Sequence, residues 1–182
     1  LEIRRKFGDA RRTEIVEAHD EIDLEDLIER HSCVITMTGA GYIKRQRVSE
    51  YNAQGRGAQG KSGLSMKEED VTEKIVVSDS HAILLMFTNK GKIFAKKAYR
   101  IPEASRGAKG SNIVNIIEIE PGEKVTAIVP VSGFDEDKFL IMVTRDGVIK
   151  KTPLSEYEYQ RRGGKIAINL DEGDELIFAD VS

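Results

Sequence analysis

The chain has 182 residues, 40% hydrophobic and 32% charged, with a formal net charge of −3 and one cysteine. That length suits one ordinary domain or several small repeated units, and the composition is that of a globular protein. A single cysteine, Cys33, excludes an internal disulfide and points to a reducing, cytoplasmic compartment; no window carries the roughly 18 apolar residues that span a bilayer, so no membrane partner is expected.

Residues 1–30 carry six Lys/Arg against ten Asp/Glu. The start is charged (Arg4, Arg5, Lys6) and lacks the apolar core of a signal peptide. Residues 1–7 read as the end of a helix closed by Gly8, and residues 23–29 as a short helix or turn. This stretch is expected to be a connector, 1–30, from an upstream domain. Leu1 stands mid-pattern, as in a chain cut from a longer protein.

From residue 31 onward the charge is nearly balanced overall but segregated locally. Residues 39–61 hold five basic residues and one acidic, 88–110 seven and one, and 144–165 six and three. These windows are copies of one unit. Each starts at a turn, Thr38-Gly-Ala-Gly41, Thr88-Asn-Lys-Gly91 or Thr144-Arg-Asp-Gly147, whose final glycines lie 50 and then 56 residues apart. Apolar runs precede the turns (33–37, 82–87 and 139–143), the pattern of β-hairpins. An Arg-Gly loop follows each hairpin, with Arg56, Arg106 and Arg162 in the same 50 and 56 spacing. Acidic turns and further apolar runs close the units, as in Glu120-Pro-Gly-Glu-Lys-Val125 and Asp171-Glu-Gly-Asp-Glu-Leu176.

A period near 50 with about four short strands per unit predicts an all-β, propeller-like array of three four-stranded blades, at 31–80, 81–133 and 134–182. Three blades fall short of the roughly four to eight of a closed propeller, so the natural chain is expected to continue beyond Ser182.

The repeated loop carries the chemistry. Glycine lets backbone N–H groups approach a phosphate, and arginine supplies a bidentate donor. Hairpin lysines beside it would complete a cationic track that holds duplex DNA through its phosphates without reading bases. The expected DNA contacts in the first unit are Lys44, Arg45, Arg47, Gln54, Arg56, Gly57, Gly60 and Lys61. In the second they are Lys92, Lys96, Lys97, Arg106 and Lys109. In the third they are Lys150, Lys151, Arg161, Arg162 and Lys165. The competing reading is that basic, glycine-rich loops are solvated turns, and a single one would be read so.

Gly55-Arg-Gly-Ala-Gln-Gly60-Lys61-Ser62 also matches the nucleotide-binding pattern G-x-x-x-x-G-K-[ST]. That loop requires a helix opening at the lysine, but Gly63 follows directly and no parallel α/β pattern surrounds it. Nucleotide hydrolysis is not expected here. His19, His31 and His81 lack metal-ligand spacing. Cys33 opens an apolar strand and reads as core, while Tyr42 and Tyr99 read as packing residues. No catalytic residue and no metal site is expected.

Phe87-Thr-Asn-Lys-Gly-Lys-Ile-Phe94, Ile101-Pro-Glu-Ala-Ser-Arg-Gly-Ala-Lys-Gly110, Lys150-Lys-Thr-Pro-Leu-Ser155 and Ala167-Ile-Asn-Leu-Asp-Glu-Gly-Asp-Glu-Leu176 resemble the C-terminal domain of the bacterial DNA gyrase A protein. Lys6-Phe-Gly-Asp-Ala-Arg-Arg-Thr-Glu-Ile15 is similar to that family's exit from the breakage–reunion domain. The resemblance implies a β-pinwheel that wraps duplex DNA on a basic rim, supporting negative supercoiling by an ATP-dependent type II topoisomerase. It implies partners in the rest of the gyrase A protein and in gyrase B, in an A2B2 complex of the bacterial cytoplasm and nucleoid. It places the catalytic tyrosine, and the use of ATP and Mg, outside these residues.

The family's box, Gln-Arg-Arg-Gly-Gly-Lys/Arg-Gly, falls at Gln54-Gly-Arg-Gly-Ala-Gln-Gly60, with two positive charges missing. The third unit spells it more fully, Gln160-Arg-Arg-Gly-Gly-Lys165, broken at Ile166. The corresponding protein of topoisomerase IV, which decatenates, is therefore the near alternative, and a protein-interaction propeller without a DNA role the distant one.

Overall fold

The structure, a computed structural model, describes residues 2–8, 25–50, 71–105 and 107–182. A six-residue helix, α1 (Glu2–Phe7), stands at the start. Among the described residues the remaining regular structure is three antiparallel β-sheets and four short 3-10 turns. The first has order β3 (Thr72–Asp79), β1 (Ser32–Thr38), β2 (Tyr42–Arg47), β6 (Ser111–Asn112). The second runs β10 (Lys165–Ile166), β5 (Lys92–Lys97), β4 (Ile83–Thr88), β7 (Val125–Val131). The third runs β11 (Leu176–Val181), β8 (Phe139–Thr144), β9 (Ile149–Pro153). The expected all-β architecture is present.

Three hairpins, β1–β2, β4–β5 and β8–β9, seed the sheets. Their turn glycines Gly41, Gly91 and Gly147 have φ of 81°, 74° and 89°. That left-handed backbone closes a tight hairpin loop. The threonine that opens each turn pins it shut: Thr38, Thr88 and Thr144 accept at Oγ1 from the backbone N–H four residues on, at 3.2, 3.3 and 3.2 Å.

The blades exchange strands. β6 follows the second unit's Arg-Gly loop but pairs with β2 of the first, Ser111 opposite Ile43. β10 belongs to the third unit and pairs with β5 of the second, Lys165 opposite Ile93. The expectation of four strands per unit in its own sheet is thereby corrected. Each hairpin unit builds three strands of one sheet, and the outer strand of the first two sheets comes from the following unit.

Close approach of the crossing chain demands glycine. A Cβ at Gly110 would lie 2.5 Å from the Ile43 carbonyl oxygen, and one at Gly164 would lie 2.9 Å from that of Ile93. Both glycines have positive φ. Gly110 and Gly164 are therefore structural equivalents, four residues after Arg106 and two after Arg162. The arginines share a spacing with the hairpins but stand at different distances in sequence from these glycines.

The core lies between neighbouring sheets. Leu84 and Met86 of β4 point into one cluster with Cys33, Ile35, Ile43, Phe94 and Ile113. Leu85 and Phe87 point the other way, into a second cluster with Ile93, Leu140, Met142, Leu154 and Leu176. The middle sheet is buried on both faces, which is why its strand reads Ile83-Leu-Leu-Met-Phe87 rather than alternating.

The acidic turns plug the hairpin tips. Glu123, whose side chain is 0% exposed, accepts from Thr88 Oγ1 at 2.6 Å and from the Glu120 N–H at 2.8 Å. Asp174 repeats the contact one unit on. Its carboxyl is held below the usual carboxylate range by the Thr144 hydroxyl, then by the N–H groups of Asp146 and Glu175. A group with a lowered folded pKa adds stability above its unfolded pKa and loses it as pH falls through the folded value. The thermal midpoint should therefore drop on acidification below about pH 4. Thr144→Val should flatten that drop; slopes identical to the parent in a pH series of melting curves would reject the assignment.

Candidate nucleic-acid interface

Gln54, Arg56, Gly57, Gly60, Lys61 and Arg106 lie outside the described residues. The remaining expected contacts divide into three groups.

Two point inward. Lys44 is 3% exposed and Arg45 8%. Burial lowers the Lys44 pKa, and its ammonium donates to the carbonyls of Ser105 (3.2 Å) and Ala108 (2.9 Å). Arg45 donates to the Ile101 carbonyl (3.3 Å) and pairs with Glu103 at 2.9 Å. These cations fasten the second unit's crossing loop to β2; they do not present charge to solvent. A buried charge needs such partners, and nothing in the basic pattern of 44–47 distinguishes inward from outward.

A second group is neutralised. Lys92 lies 2.6 Å from Glu120, whose hydrogen bond raises the lysine pKa. Lys97 lies 2.8 Å from Glu25, and Arg47 lies 3.4 Å from Glu29. The hairpin-tip residues Lys90 and Arg145 are likewise paired, with Glu120 (3.1 Å) and Glu175 (3.3 Å). At the hairpin tips the cations thus face carboxylates of the acidic turns.

The third group reaches solvent and carries no carboxylate partner among the described residues. Half-buried Lys96 and exposed Arg161 and Arg162 line one small pocket of about 120 Å³ with Phe94, Ala95 and Gln160. Lys96 also lines a neighbouring pocket with Arg100, Pro102, Ser111 and Asn115, so one cationic strip runs across the boundary between two units. Gln160 positions it: its Oε1 accepts from the Ala95 N–H at 2.8 Å and its Nε2 donates to the Tyr157 carbonyl at 3.0 Å. The two arginines that follow are thereby tied to β5 of the preceding unit.

The flanking lysines rest on aromatic rings. Lys109 Nζ is 3.9 Å from the Tyr42 ring centre, Lys151 is 4.1 Å from that of Phe139, and Lys165 is 5.6 Å from that of Tyr157. Such contacts limit the rotamer freedom of an exposed cation without cancelling its charge. Lys165 also donates to the Glu156 carbonyl and Lys150 to the Ala167 carbonyl, neither of which is a charge. Arg100 was missed at the sequence level. Its signal was available, since it falls within the most basic of the three windows.

Among the described residues, no group of His, Cys, Asp and Glu has metal-binding geometry, and no helix is long and apolar enough to cross a membrane.

Sheets that lend strands to their neighbours and stack face to face define a propeller-type array of repeated blades. A family model described as the DNA gyrase C-terminal domain, beta-propeller, matches residues 34–79, 82–132 and 138–182, and the chain belongs to that family. It is 47% identical over 181 residues to the DNA gyrase A protein of Clostridium acetobutylicum, covering 100% of this chain and 22% of that protein. It is 45% identical over 177 residues to that of Escherichia coli, covering 97% of this chain and 20% of that one. The chain thus spans about a fifth of the relatives it matches. Among solved structures, the C-terminal domain of DNA topoisomerase IV aligns with a TM-score of 0.69 at 28% identity, covering 85% of this chain and 47% of that one. The DNA gyrase A C-terminal domain aligns at 0.67 and 25%, covering 84% and 48%.

Proposed function

We propose that this chain binds duplex DNA without sequence specificity and bends it along the Arg100–Lys96–Arg161–Arg162 strip, as part of a gyrase A protein. In that setting it serves ATP-dependent negative supercoiling by an A2B2 enzyme of the bacterial cytoplasm, while strand cleavage and ATP hydrolysis belong to other segments. The observation that carries this reading is the strip itself. Cations from two units converge without carboxylate partners among the described residues, whereas those at the hairpin tips are paired. Phosphate contacts of this kind give affinity and position but no base readout, and they must offset a bending cost of roughly 1–6 kcal/mol for a 20–30 bp segment.

Two measurements test this in turn. The chain should retard a linear duplex at low salt and release it as salt rises. Plasmid relaxed by a nicking–closing enzyme in its presence should keep a changed linking number after protein removal. Retardation without a linking change would leave binding but remove wrapping. The resemblance to the topoisomerase IV structure, together with the incomplete box at 54–60, keeps decatenation as the second reading. Relaxed plasmid incubated with the full-length protein and its ATPase partner separates the two, since supercoiling identifies gyrase.

A further inference from the structure

The loop that carries Arg161 and Arg162 is held closed by a buried side chain. Tyr157, 2% exposed, meets it at its start, its middle and its end. The Tyr157 carbonyl accepts from Gln160 Nε2 at 3.0 Å, the ring lies 5.6 Å from Lys165 Nζ, and the hydroxyl donates to the Ala167 carbonyl at 3.2 Å. Lys150 Nζ donates to the same carbonyl at 2.7 Å. Inside the loop, the Gly164 N–H donates to the Arg161 carbonyl at 3.0 Å. Residues 158–166 are thus a closed loop whose far end is clasped by the phenol at its near end.

The loop of the second unit is held in another way. Lys44, three residues after Gly41, reaches into it from the preceding sheet and donates to the Ser105 and Ala108 carbonyls. Three residues after Gly91 stands Phe94, which has no polar hydrogen to donate from its side chain. Ten residues after the hairpin glycine the relation reverses: the second unit has Ile101 and the third has Tyr157. The hold that a lysine supplies to one loop from outside is supplied to the other by its own tyrosine.

We propose that Tyr157 is a positioning residue for duplex binding: by clasping the Ala167 carbonyl it fixes the backbone from which Arg161 and Arg162 reach solvent. Two arginines on an open loop would have to be ordered at each encounter with phosphate, which costs affinity. A loop closed by its own scaffold presents them already placed. This rests on the reading that the strip's ligand is duplex DNA.

Tyr157→Phe tests it, because it keeps the ring in the core and removes the clasping hydroxyl. With a duplex of about 30 bp at low salt, affinity should fall about threefold, the order expected from one lost hydrogen bond. The slope of log affinity against log salt should stay that of the parent, since no charge is removed. Amide exchange should quicken at Ala95 and Gly164, whose N–H groups are bonded to the loop. Adding Lys150→Met frees the Ala167 carbonyl of both donors, and the affinity loss should exceed the product of the two single losses, as expected of groups that share one partner. Leu140→Val, in the core of the third sheet, lowers stability without touching the loop and should bind as the parent does. Faster exchange in Tyr157→Phe with parental affinity, or single losses that simply multiply in the double variant, overturns the positioning role and leaves DNA binding standing. Failure of the parent chain to bind duplex overturns both.

Discussion

Removing Lys96, Arg161 and Arg162 together is expected to weaken duplex binding at low salt by more than about tenfold and to flatten its salt dependence. Each phosphate neutralised contributes about 0.9 to the slope of log affinity against log salt, so three lost contacts should reduce the slope by about 2–3. The three side chains meet in one pocket without carboxylate partners among the described residues. Lys92→Ala and Lys90→Ala serve as the comparison. Both lysines lie against Glu120, at 2.6 and 3.1 Å, and should change affinity far less. Salt titrations by fluorescence anisotropy read both quantities. Equal losses in the two sets would show that net charge, not the strip, governs binding.

Gly164→Ala is expected to destabilise the protein on the order of 3 kcal/mol, through a strained positive φ and overpacking. The new methyl would stand 2.8 Å from a Phe94 ring carbon and 2.9 Å from the Ile93 oxygen, at the point where the third unit crosses to the second sheet. For a chain of this size that corresponds to a thermal midpoint lower by about 6–12 °C. Gly107 has no atom within 4 Å of its ideal Cβ, and Gly107→Ala should change little. Calorimetry on the two variants checks this; matching midpoints would mean that the crossing tolerates a side chain and that its geometry is softer than described.

The hairpins were legible because three sequence features agree locally: an apolar run, a threonine and a glycine that takes positive φ. Cys33 was legible as core because it opens such a run, and it is fully buried. The double-sided burial of β4 was implicit in an uninterrupted apolar stretch. The strand exchange was not legible. β6 and β10 are two residues each, too short for any hydrophobic period, and their partners lie in another unit.

The direction of the cations was equally hidden. Lys44 and Lys96 belong to similar basic windows, yet one is fastened to loop carbonyls and the other lines open pockets. Charge in a sequence says nothing of what stands opposite it in space, and here the acidic turns and the connector decide. Spacing located the loops but not their inner register, because Arg106 and Arg162 precede the crossing glycine by different lengths.

The loan of β6 and β10 to the preceding sheet gives the array a polarity. Deleting the third unit at residue 134 would strip the second sheet of its rim strand and bare the edge of β5. Deleting the first would take an acceptor away but leave every later sheet with its strands. Damage therefore spreads toward the N-terminus, and each of the first two sheets owes its outer edge to the unit that follows it. A linear chain of units coupled only by packed faces would melt alike from either end; one stitched together by main-chain ladders in a single direction frays backwards.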